Sequence, residues 1–286
     1  MSHCLKGQAP KQHGKKYKNT KSIKPGASFS QVINNYSHKT VTTINMANPY
    51  FQFKSFTVYH DRSTLKVSTD SCLFGAWLAA LISKHPLGIH KALDIGSGTG
   101  LLMLMLAQKF EGTIHGIEID QDSFEQATEN IKASPWYDRM KLFHSDVKLF
   151  ESPHQYDLIF TNPPFYEGDL KADSLQKNLA RHDDGLTLSD LLEVVNRNLT
   201  QQGKFAVLLP WHRVEAFISL ASNYELFVQE KLRIQQTPQH PFFRAAMLLG
   251  RNNSGIPHSQ TIIIQQSPDK YSERFTELLK DYYLYL

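Results

Sequence analysis

The stretch KALDIGSGTGLLMLMLAQK, residues 91–109, carries the clearest structural pattern in this chain. Lys91–Ile95 is a short apolar run typical of a buried strand, and Leu101–Lys109 is a longer one typical of a helix. Three glycines at alternate positions join the two segments, and they are Gly96, Gly98 and Gly100. Glycine allows a tight turn and a close ligand approach, so the pattern predicts a strand, an open loop and a helix.

Strands and helices alternate from this point to the end of the chain. Repeated units with apolar strands predict an α/β protein with a doubly wound, mostly parallel sheet. The predicted strands are Lys91–Ile95, Thr113–Ile119, Met140–His144, Tyr156–Thr161, Lys204–Leu209 and Leu226–Ile234, with Ala245–Leu249 and Thr261–Gln265 as edge strands. The predicted helices are Leu101–Lys109, Gln121–Ala133, Leu188–Leu199, Trp211–Ser222 and Tyr271–Tyr283.

The segment before this core is predicted to form a cover rather than a domain of its own. Phe56–Tyr59 and Leu65–Val67 flank a polar turn, which predicts a β-hairpin. A helix is predicted over Ser71–Ser83, and either Thr69 or Asp70 can cap its first turn.

Basic residues are concentrated at the N-terminus. Residues 1–60 contain nine lysines and no Asp or Glu, which leaves 22 basic against 27 acidic residues, about −5, for residues 61–286. Residues 1–45 are polar and aperiodic, which predicts a disordered basic extension that either attracts phosphate or has no role. Met46 directly precedes the first segment with a folded pattern, so it is an alternative start.

The predicted domain limits follow from these changes in composition. We assign residues 1–45 to the basic extension and residues 46–286 to one domain. Within that domain, residues 46–90 form the hairpin and helix cover, and residues 91–286 form the α/β core.

Composition also excludes several classes of protein. No apolar run in the 286 residues approaches the roughly 20 residues of a membrane span. Cys4 and Cys72 are far apart and fit neither a disulfide framework nor a zinc site, and the 13 histidines show no ligand spacing. We therefore expect a cytoplasmic, monomeric protein without a metal or a membrane contact.

The candidate substrate site follows the strand Tyr156–Thr161. Pro163 and Pro164 cannot continue a sheet, so Asn162 is left at the carboxyl end of the strand, where open α/β sheets bind ligands. The Asn162 side chain and the Pro163 backbone each offer a carbonyl acceptor, and Phe165 offers a flat apolar face. This combination suits a planar group that bears an NH2. The structural alternative is a strand end closed by a Pro-Pro turn.

Three acidic residues end the first three strands of the core. Asp94 precedes the glycines, where it would repel a pyrophosphate and suit a cationic ligand such as S-adenosylmethionine. Glu118 can accept hydrogen bonds from ribose hydroxyls, and Asp146 can accept from an adenine amine. Helix capping is the alternative role for Glu118 and Asp146, although Asp120 can also cap the helix after Glu118. The glycine spacing G-x-G-x-G differs from the dinucleotide fingerprint G-x-G-x-x-G.

These residues resemble the class I S-adenosylmethionine-dependent methyltransferases that act on amino groups. The region from about Phe51 to Leu286 is similar to the bacterial tRNA(Val) adenine-37 N6-methyltransferase family. The motifs that carry this closer resemblance are Phe53-Lys54-Ser55-Phe56, His60-Asp61-Arg62, Lys66-Val67-Ser68-Thr69-Asp70, Gly75-Ala76-Trp77, Glu129-Asn130-Ile131, Ser134-Pro135-Trp136 and Tyr282-Tyr283-Leu284.

The resemblance implies a seven-stranded Rossmann-like sheet, S-adenosylmethionine as the cofactor and the adenosine 3′ of the anticodon of a valine tRNA as the target. It implies a methionine pocket shaped by Gly96, Gly98 and Gly100, with Asp94 on the amino group and Thr69 and Asp70 over the methionine end. It also implies that Glu118 holds the ribose and Asp146 the cofactor's adenine. The target base is then held by Asn162, Pro163, Pro164 and Phe165.

Other functions share parts of this pattern. A methyltransferase for a glutamine side chain would use the same socket, and one for adenine in DNA or ribosomal RNA fits the same motifs. A protein that binds S-adenosylmethionine without turnover is a non-enzymatic alternative. A nicotinamide dehydrogenase is disfavoured by the glycine spacing.

Overall fold

A computed structural model describes residues 48–84, 88–163, 185–253 and 255–286 of the chain. All of these residues belong to one unit, Ala47–Leu286. The predicted extension at residues 1–45, the alternative start at Met46 and the site residues Pro164 and Phe165 lie outside the described residues.

Buried apolar strands form the centre of the fold. The strands are β1 (Tyr50–Gln52), β2 (Thr57–Tyr59), β3 (Lys91–Ile95), β4 (Thr113–Glu118), β5 (Met140–His144), β6 (Tyr156–Thr161), β7 (Leu199–Pro210), β8 (Phe227–Gln235), β9 (Phe242–Gly250), β10 (His258–Ile263), β11 (Gln265–Ser267) and β12 (Lys270–Tyr271). The α-helices are α1 (Thr69–Lys84), α2 (Leu101–Ala107), α3 (Gln121–Lys132), α4 (Leu188–Asn198), α5 (Val214–Ser222) and α6 (Glu273–Leu279).

The main sheet has eight strands in the order β10-β8-β9-β7-β6-β3-β4-β5. Seven of them point the same way, because β9 alone pairs antiparallel with its neighbours β7 and β8. The predicted α/β class and the doubly wound, mostly parallel sheet are confirmed. The count of seven strands that the resemblance implied is wrong by one, whereas all eight segments predicted as strands from the sequence form strands of this sheet.

The position of β9 also differs from the prediction. Ala245–Leu249 is not an edge strand, because β9 lies between β7 and β8. Residues 245–250 are all buried, as expected for a strand with neighbours on both sides. The segment predicted at Thr261–Gln265 does form the edge, as β10.

The N-terminal hairpin pairs differently from the prediction. β2 pairs antiparallel with the preceding β1, with Tyr59 opposite Tyr50, and Leu65–Val67 is not a strand. A tight turn in which the Phe53 N–H donates to the Phe56 carbonyl at 2.8 Å places β1 in register. The rings of Phe53 and Phe56 stack with centroids 4.5 Å apart, so aromatic packing stabilises this turn without a glycine.

The start of α1 also corrects the capping prediction. The helix begins at Thr69, and the Ser68 hydroxyl accepts from the Ser71 N–H at 3.4 Å. Thr69 and Asp70 therefore lie in the first turn and do not cap it. Within the described residues no helix is long and apolar enough to cross a membrane.

Two hydrophobic clusters cover the faces of the sheet. One contains buried residues of α1, α2 and α6, and the other contains those of α4 and α5. The chain order of the parallel strands reverses between β3 and β6, since β3 is bounded by β4 on one side and β6 on the other. Ligands of open α/β sheets bind at the carboxyl ends of the strands beside such a reversal.

Candidate active site

The glycine loop leaves β3 at this reversal. Gly96, Gly98 and Gly100 all have positive φ, at 70°, 54° and 78°. A side chain added at Gly96 or Gly98 would meet no atom within 4 Å, so open space lies beside the backbone there. Gly100 instead faces α3, where an added Cβ would lie 3.5 Å from the Cβ of Ala127. The first two glycines therefore line a space that a ligand can fill.

Asp94 lies one residue before the end of β3 and is fully buried. Neither carboxyl oxygen has a hydrogen-bond partner among the described residues, and the Ser97 hydroxyl donates to the Asp94 backbone carbonyl instead, at 3.3 Å. Burial raises the pKa of Asp94 well above its ordinary value, and the nearby charge of Glu118 adds to the shift. A buried carboxyl group without a partner is costly, which suits a site for a cationic ligand.

Glu118 ties the glycine loop to the end of β4. Its Oε2 accepts from the Gly98 N–H at 2.7 Å and its Oε1 accepts from the Asp120 N–H at 2.9 Å. Asp120 caps α3 by accepting from the Ser123 N–H at 2.9 Å. The capping role is therefore filled by Asp120, and each oxygen of Glu118 retains a lone pair for a ligand.

Asp146 lies just beyond β5, next to the same edge. The neighbouring Ser145 N–H donates to the Glu118 carbonyl at 3.0 Å, which places this turn against the end of β4. The Asp146 Oδ1 accepts from the Lys148 N–H at 2.8 Å. The residue thus closes a short turn, and it is not the N-cap of an α-helix.

Asn162 follows β6 directly and is half-buried. Its Nδ2 donates to the Ser71 hydroxyl of α1 at 2.8 Å, and that hydroxyl also lies 2.8 Å from the Ser68 hydroxyl. Because Nδ2 is engaged, Oδ1 is the atom of the carboxamide that can accept a hydrogen bond. The preceding Thr161 donates its hydroxyl proton to the Ile95 carbonyl at 2.7 Å, which joins this strand end to the base of the glycine loop.

The first turn of α1 reaches the site through Ser71. Asp70 lies next to Ser71, and its Oδ2 accepts from the Nε of Arg244 at 2.9 Å. Thr69 begins the same turn. The helix turn that contains Thr69 and Asp70 therefore contacts Asn162 through Ser71, and the Asp70 carboxylate has an ion-pair partner on β9.

Sequence reasoning missed three residues that organise the site. Ser71 and Arg244 are remote in sequence from the residues that they contact, so no local pattern marks them. Asn130 had appeared only as part of the resemblance motif. Its Nδ2 donates to the carbonyls of Tyr59 at 2.9 Å and Thr99 at 3.0 Å, and so links the N-terminal cover to the glycine loop.

The assembled site brings a buried carboxyl group, the open glycine loop and the Asn162 carboxamide to one edge of the sheet. Among the residues that the structure describes, no group of three or more His, Cys, Asp or Glu side chains could hold a metal ion. The unpartnered Asp94 carboxyl, the open glycine loop and the Glu118 lone pairs fit a ligand that carries an ammonium group and a ribose. S-adenosylmethionine has both.

Comparisons with known sequences identify related proteins. The family model described as methyltransferase small domain matches residues 76–209. A protein of Bacteroides thetaiotaomicron is 37% identical over 243 residues, which cover 84% of this chain and 100% of that protein. One of Flavobacterium johnsoniae is 37% identical over 237 residues, 82% of this chain and 99% of that protein. Both are named tRNA1(Val) (adenine(37)-N6)-methyltransferase.

Solved structures share the fold at low sequence identity. An Agrobacterium tumefaciens protein described as a predicted O-methyltransferase aligns with a TM-score of 0.55 and 14% identity, over 74% of this chain and 96% of that one. A Listeria monocytogenes protein described as a class I S-adenosylmethionine-dependent methyltransferase aligns with a TM-score of 0.51 and 14% identity, over 68% and 67% of the two chains. These matches support the fold class alone.

Proposed function

The chain belongs to the tRNA1(Val) (adenine(37)-N6)-methyltransferase family, and we propose that it methylates N6 of the adenosine at position 37 of tRNA1(Val), with S-adenosylmethionine as the methyl donor. The observation that carries this proposal is the orientation of Asn162. Its Nδ2 is held by Ser71, so its Oδ1 is presented as an acceptor at the carboxyl end of β6. An acceptor at this point suits an N–H donor on the substrate.

The cofactor pocket is assigned to the acidic residues at the strand ends. Asp94 would accept from the cofactor's ammonium group, which would supply the partner that its buried carboxyl group lacks. Glu118 would accept from the ribose hydroxyls, and Asp146 from the adenine amine. Gly96 and Gly98 leave room for the methionine portion, and the family resemblance assigns Thr69 and Asp70 to its methionine end. When bound, S-adenosylmethionine supplies an electrophilic methyl group on its sulfonium.

The target amine is assigned to Asn162 and Pro163. The N6 lone pair of adenine is delocalised into the ring, so the amine is a weak nucleophile. Two carbonyl acceptors, the Asn162 Oδ1 and the Pro163 backbone oxygen, would hold both N–H groups and favour a pyramidal nitrogen whose lone pair faces the methyl group. Such positioned dipoles act most strongly on the transition state. No side chain has to remove a proton before transfer, because the nitrogen becomes acidic only once it is methylated.

The target base must leave its stack to reach this socket. The family resemblance assigns the compensating stacking contact to Phe165.

Mass spectrometry of nucleosides tests the proposed activity. Purified protein with S-adenosylmethionine should form N6-methyladenosine in a tRNA1(Val) transcript and none in a transcript with guanosine at position 37. Total tRNA from cells without the gene should lack the same modification. Methylation of a glutamine-containing peptide without methylation of either RNA would overturn the proposal.

Asn162→Ala tests the assignment of the amine socket. The variant loses an acceptor that acts mainly in the transition state, so we expect kcat to fall by about 100-fold or more. Calorimetry with S-adenosylmethionine and the melting temperature should change little. Ser71→Ala keeps the Asn162 acceptor but removes the hydrogen bond that orients it. We therefore expect a smaller fall in kcat than for Asn162→Ala. A near-parental kcat for Asn162→Ala, or a lowered melting temperature with kcat retained, would instead mark Asn162 as a structural turn residue.

A further inference from the structure

We propose that an aromatic and arginine cluster beside Asn162 is the surface that binds the unpaired loop nucleotides of the RNA substrate. The cluster, called the hairpin patch, lies where β7 ends and where the β8–β9 hairpin turns. It consists of Trp211, Arg233 and Phe242, which are joined by ring contacts, and of Phe243 and Arg244, the next two residues of β9. This inference rests on the proposed function and adds to it the surface by which the RNA loop is held.

The sheet topology places the hairpin patch at the edge that carries the active site. β7 and β8 run in the same direction as β6. Their carboxyl ends therefore lie at the same edge of the sheet as Asn162, which follows β6. β9 runs the opposite way and therefore begins there, with Arg244 opposite Pro210 and Phe242 opposite Gln235.

Hydrogen bonds connect Arg244 of the patch to the first turn of α1 and, through Ser71, to Asn162. Arg244 donates its Nε proton to Asp70 at 2.9 Å, and the adjacent Ser71 accepts from Asn162 at 2.8 Å. The guanidinium of Arg244 keeps two further nitrogens that can donate to a phosphate or a base. A nucleotide next to the target base would therefore meet the patch.

The chemistry of the patch suits unpaired bases. The rings of Trp211 and Phe242 lie 4.9 Å apart at an angle of 49°, and the guanidinium of Arg233 lies 5.2 Å from the Phe242 ring centre. Phe243 is 37% exposed, although it is a large apolar side chain. Single-stranded RNA is bound by stacking of its bases on aromatic rings and arginine planes, which supports an RNA loop as the occupant.

The local charge is complementary to RNA in a body that is otherwise acidic. Residues 232–250 contain Arg233 and Arg244 and no Asp or Glu, and Asp70 of α1 pairs with Arg244, whereas residues 61–286 carry about −5. The net negative charge of residues 61–286 repels RNA phosphates. A basic, aromatic surface next to the site can therefore supply the attraction that the rest of the domain lacks. A protein partner of general apolar character would not require the arginines.

The test combines Arg233→Gln and Phe243→Ala in one protein. Arg274→Gln and Tyr271→Ala provide the matched control, because Arg274 is an exposed arginine on α6 and Tyr271 is also 37% exposed. Fluorescence anisotropy then measures the Kd for a tRNA1(Val) transcript and for its isolated anticodon stem-loop at several salt concentrations. Calorimetry with S-adenosylmethionine and the melting temperature report on the cofactor pocket and the fold.

We expect the patch variant to bind both RNAs roughly 10-fold or more weakly, the scale of one lost base stack. The slope of log Kd against log salt should become shallower by about 1, as one cation is removed. KM for tRNA should rise while kcat at saturating tRNA, cofactor affinity and melting temperature stay near the parental values. The control variant should bind both RNAs like the parent.

Two results would overturn the inference while leaving the proposed function intact. In the first, the parent methylates tRNA1(Val), but the patch variant binds both RNAs as tightly as the control variant does. The hairpin patch would then bind a partner other than the RNA loop. The other is a loss with full-length tRNA but not with the stem-loop, which would place the contact outside the loop. A parent that does not methylate tRNA1(Val) would instead remove the proposed function.

Discussion

At the level of single residues, Asp94 has the clearest physical signature. Its carboxyl group is fully buried and unpartnered within the described residues, and burial raises its pKa well above the ordinary value. The folded protein therefore holds this proton more tightly than the unfolded chain does. The stability from this group is complete below the unfolded pKa of about 4 and is lost as the pH rises through the folded-state pKa.

We expect Asp94→Asn to stabilise the cofactor-free protein at neutral pH, because an amide cannot ionise. The gain in unfolding free energy should be on the order of 1–3 kcal/mol and should shrink as the pH falls towards about 4. Affinity for S-adenosylmethionine should drop by about 10- to 100-fold, since a charge-assisted hydrogen bond is lost. Denaturant unfolding across pH and calorimetry measure both effects.

The exposed Asp138 provides a matched control. Asp138→Asn should change neither quantity. If Asp94→Asn matched that control in stability and in cofactor affinity, the ammonium partner would have to be a different residue.

The sequence predicted some of the site residues because their signals are local. A carboxylate at the end of an apolar run marks Asp94 and Glu118, and a double proline marks Asn162. The contact between Asn162 and Ser71 spans 91 residues. This contact forms because α1 packs on the sheet, and the residue spacing within either segment does not predict that packing.

At the level of elements, helix α3 holds the N-terminal cover in place. Asn130 exchanges two hydrogen bonds with the Tyr59 backbone and donates a third to the Thr99 carbonyl. Gln126 accepts from the N–H groups of Arg62 and Ser63. The segment that was predicted as the turn of a hairpin therefore bonds to helix side chains, which explains why Leu65–Val67 does not pair as a strand.

Asn130→Ala should destabilise the protein by about 2–4 kcal/mol, because three hydrogen bonds of a buried side chain are lost. It should also weaken binding of S-adenosylmethionine, since the glycine loop loses its bond at Thr99. Denaturant unfolding and calorimetry check the two effects.

The adjacent Glu129 is the control. Within the described parts of the chain its side chain makes only an exposed ion pair with Arg62, so Glu129→Ala should cost less than about 1 kcal/mol. Equal unfolding free energies for the two variants would show that the link between cover and loop contributes little.

At the level of the whole molecule, strand identity was easier to predict than strand order. β3, β5 and β6 have the predicted bounds, because each is a short apolar run with polar ends. The placement of β9 between β7 and β8 depends on which strand edges meet after folding. The uninterrupted apolar run Ala245–Leu249 is the sequence signal that could have placed β9 inside the sheet, because a strand with neighbours on both sides is buried on both faces.

The distribution of charge over the whole chain leads to the last prediction. Residues 1–45 contain eight lysines and no Asp or Glu, whereas residues 61–286 carry about −5. We propose that these lysines add a sequence-independent attraction for RNA phosphates. A chain beginning at Met46 should then bind tRNA more weakly at low salt, with a shallower slope of log Kd against log salt, because each phosphate contact contributes roughly 0.7–0.9 to that slope.

The kcat of the shortened chain at saturating tRNA should equal that of the full chain, because all the proposed site residues remain. Anisotropy over a salt series measures the slope, and a single concentration could not separate charge from base stacking. The shortened chain should keep its full response to the variants of the hairpin patch, since stacking depends little on salt compared with phosphate binding. Identical salt slopes for the full and shortened chains would show that the lysines do not contribute, and the attraction for RNA would then have to come from the folded domain.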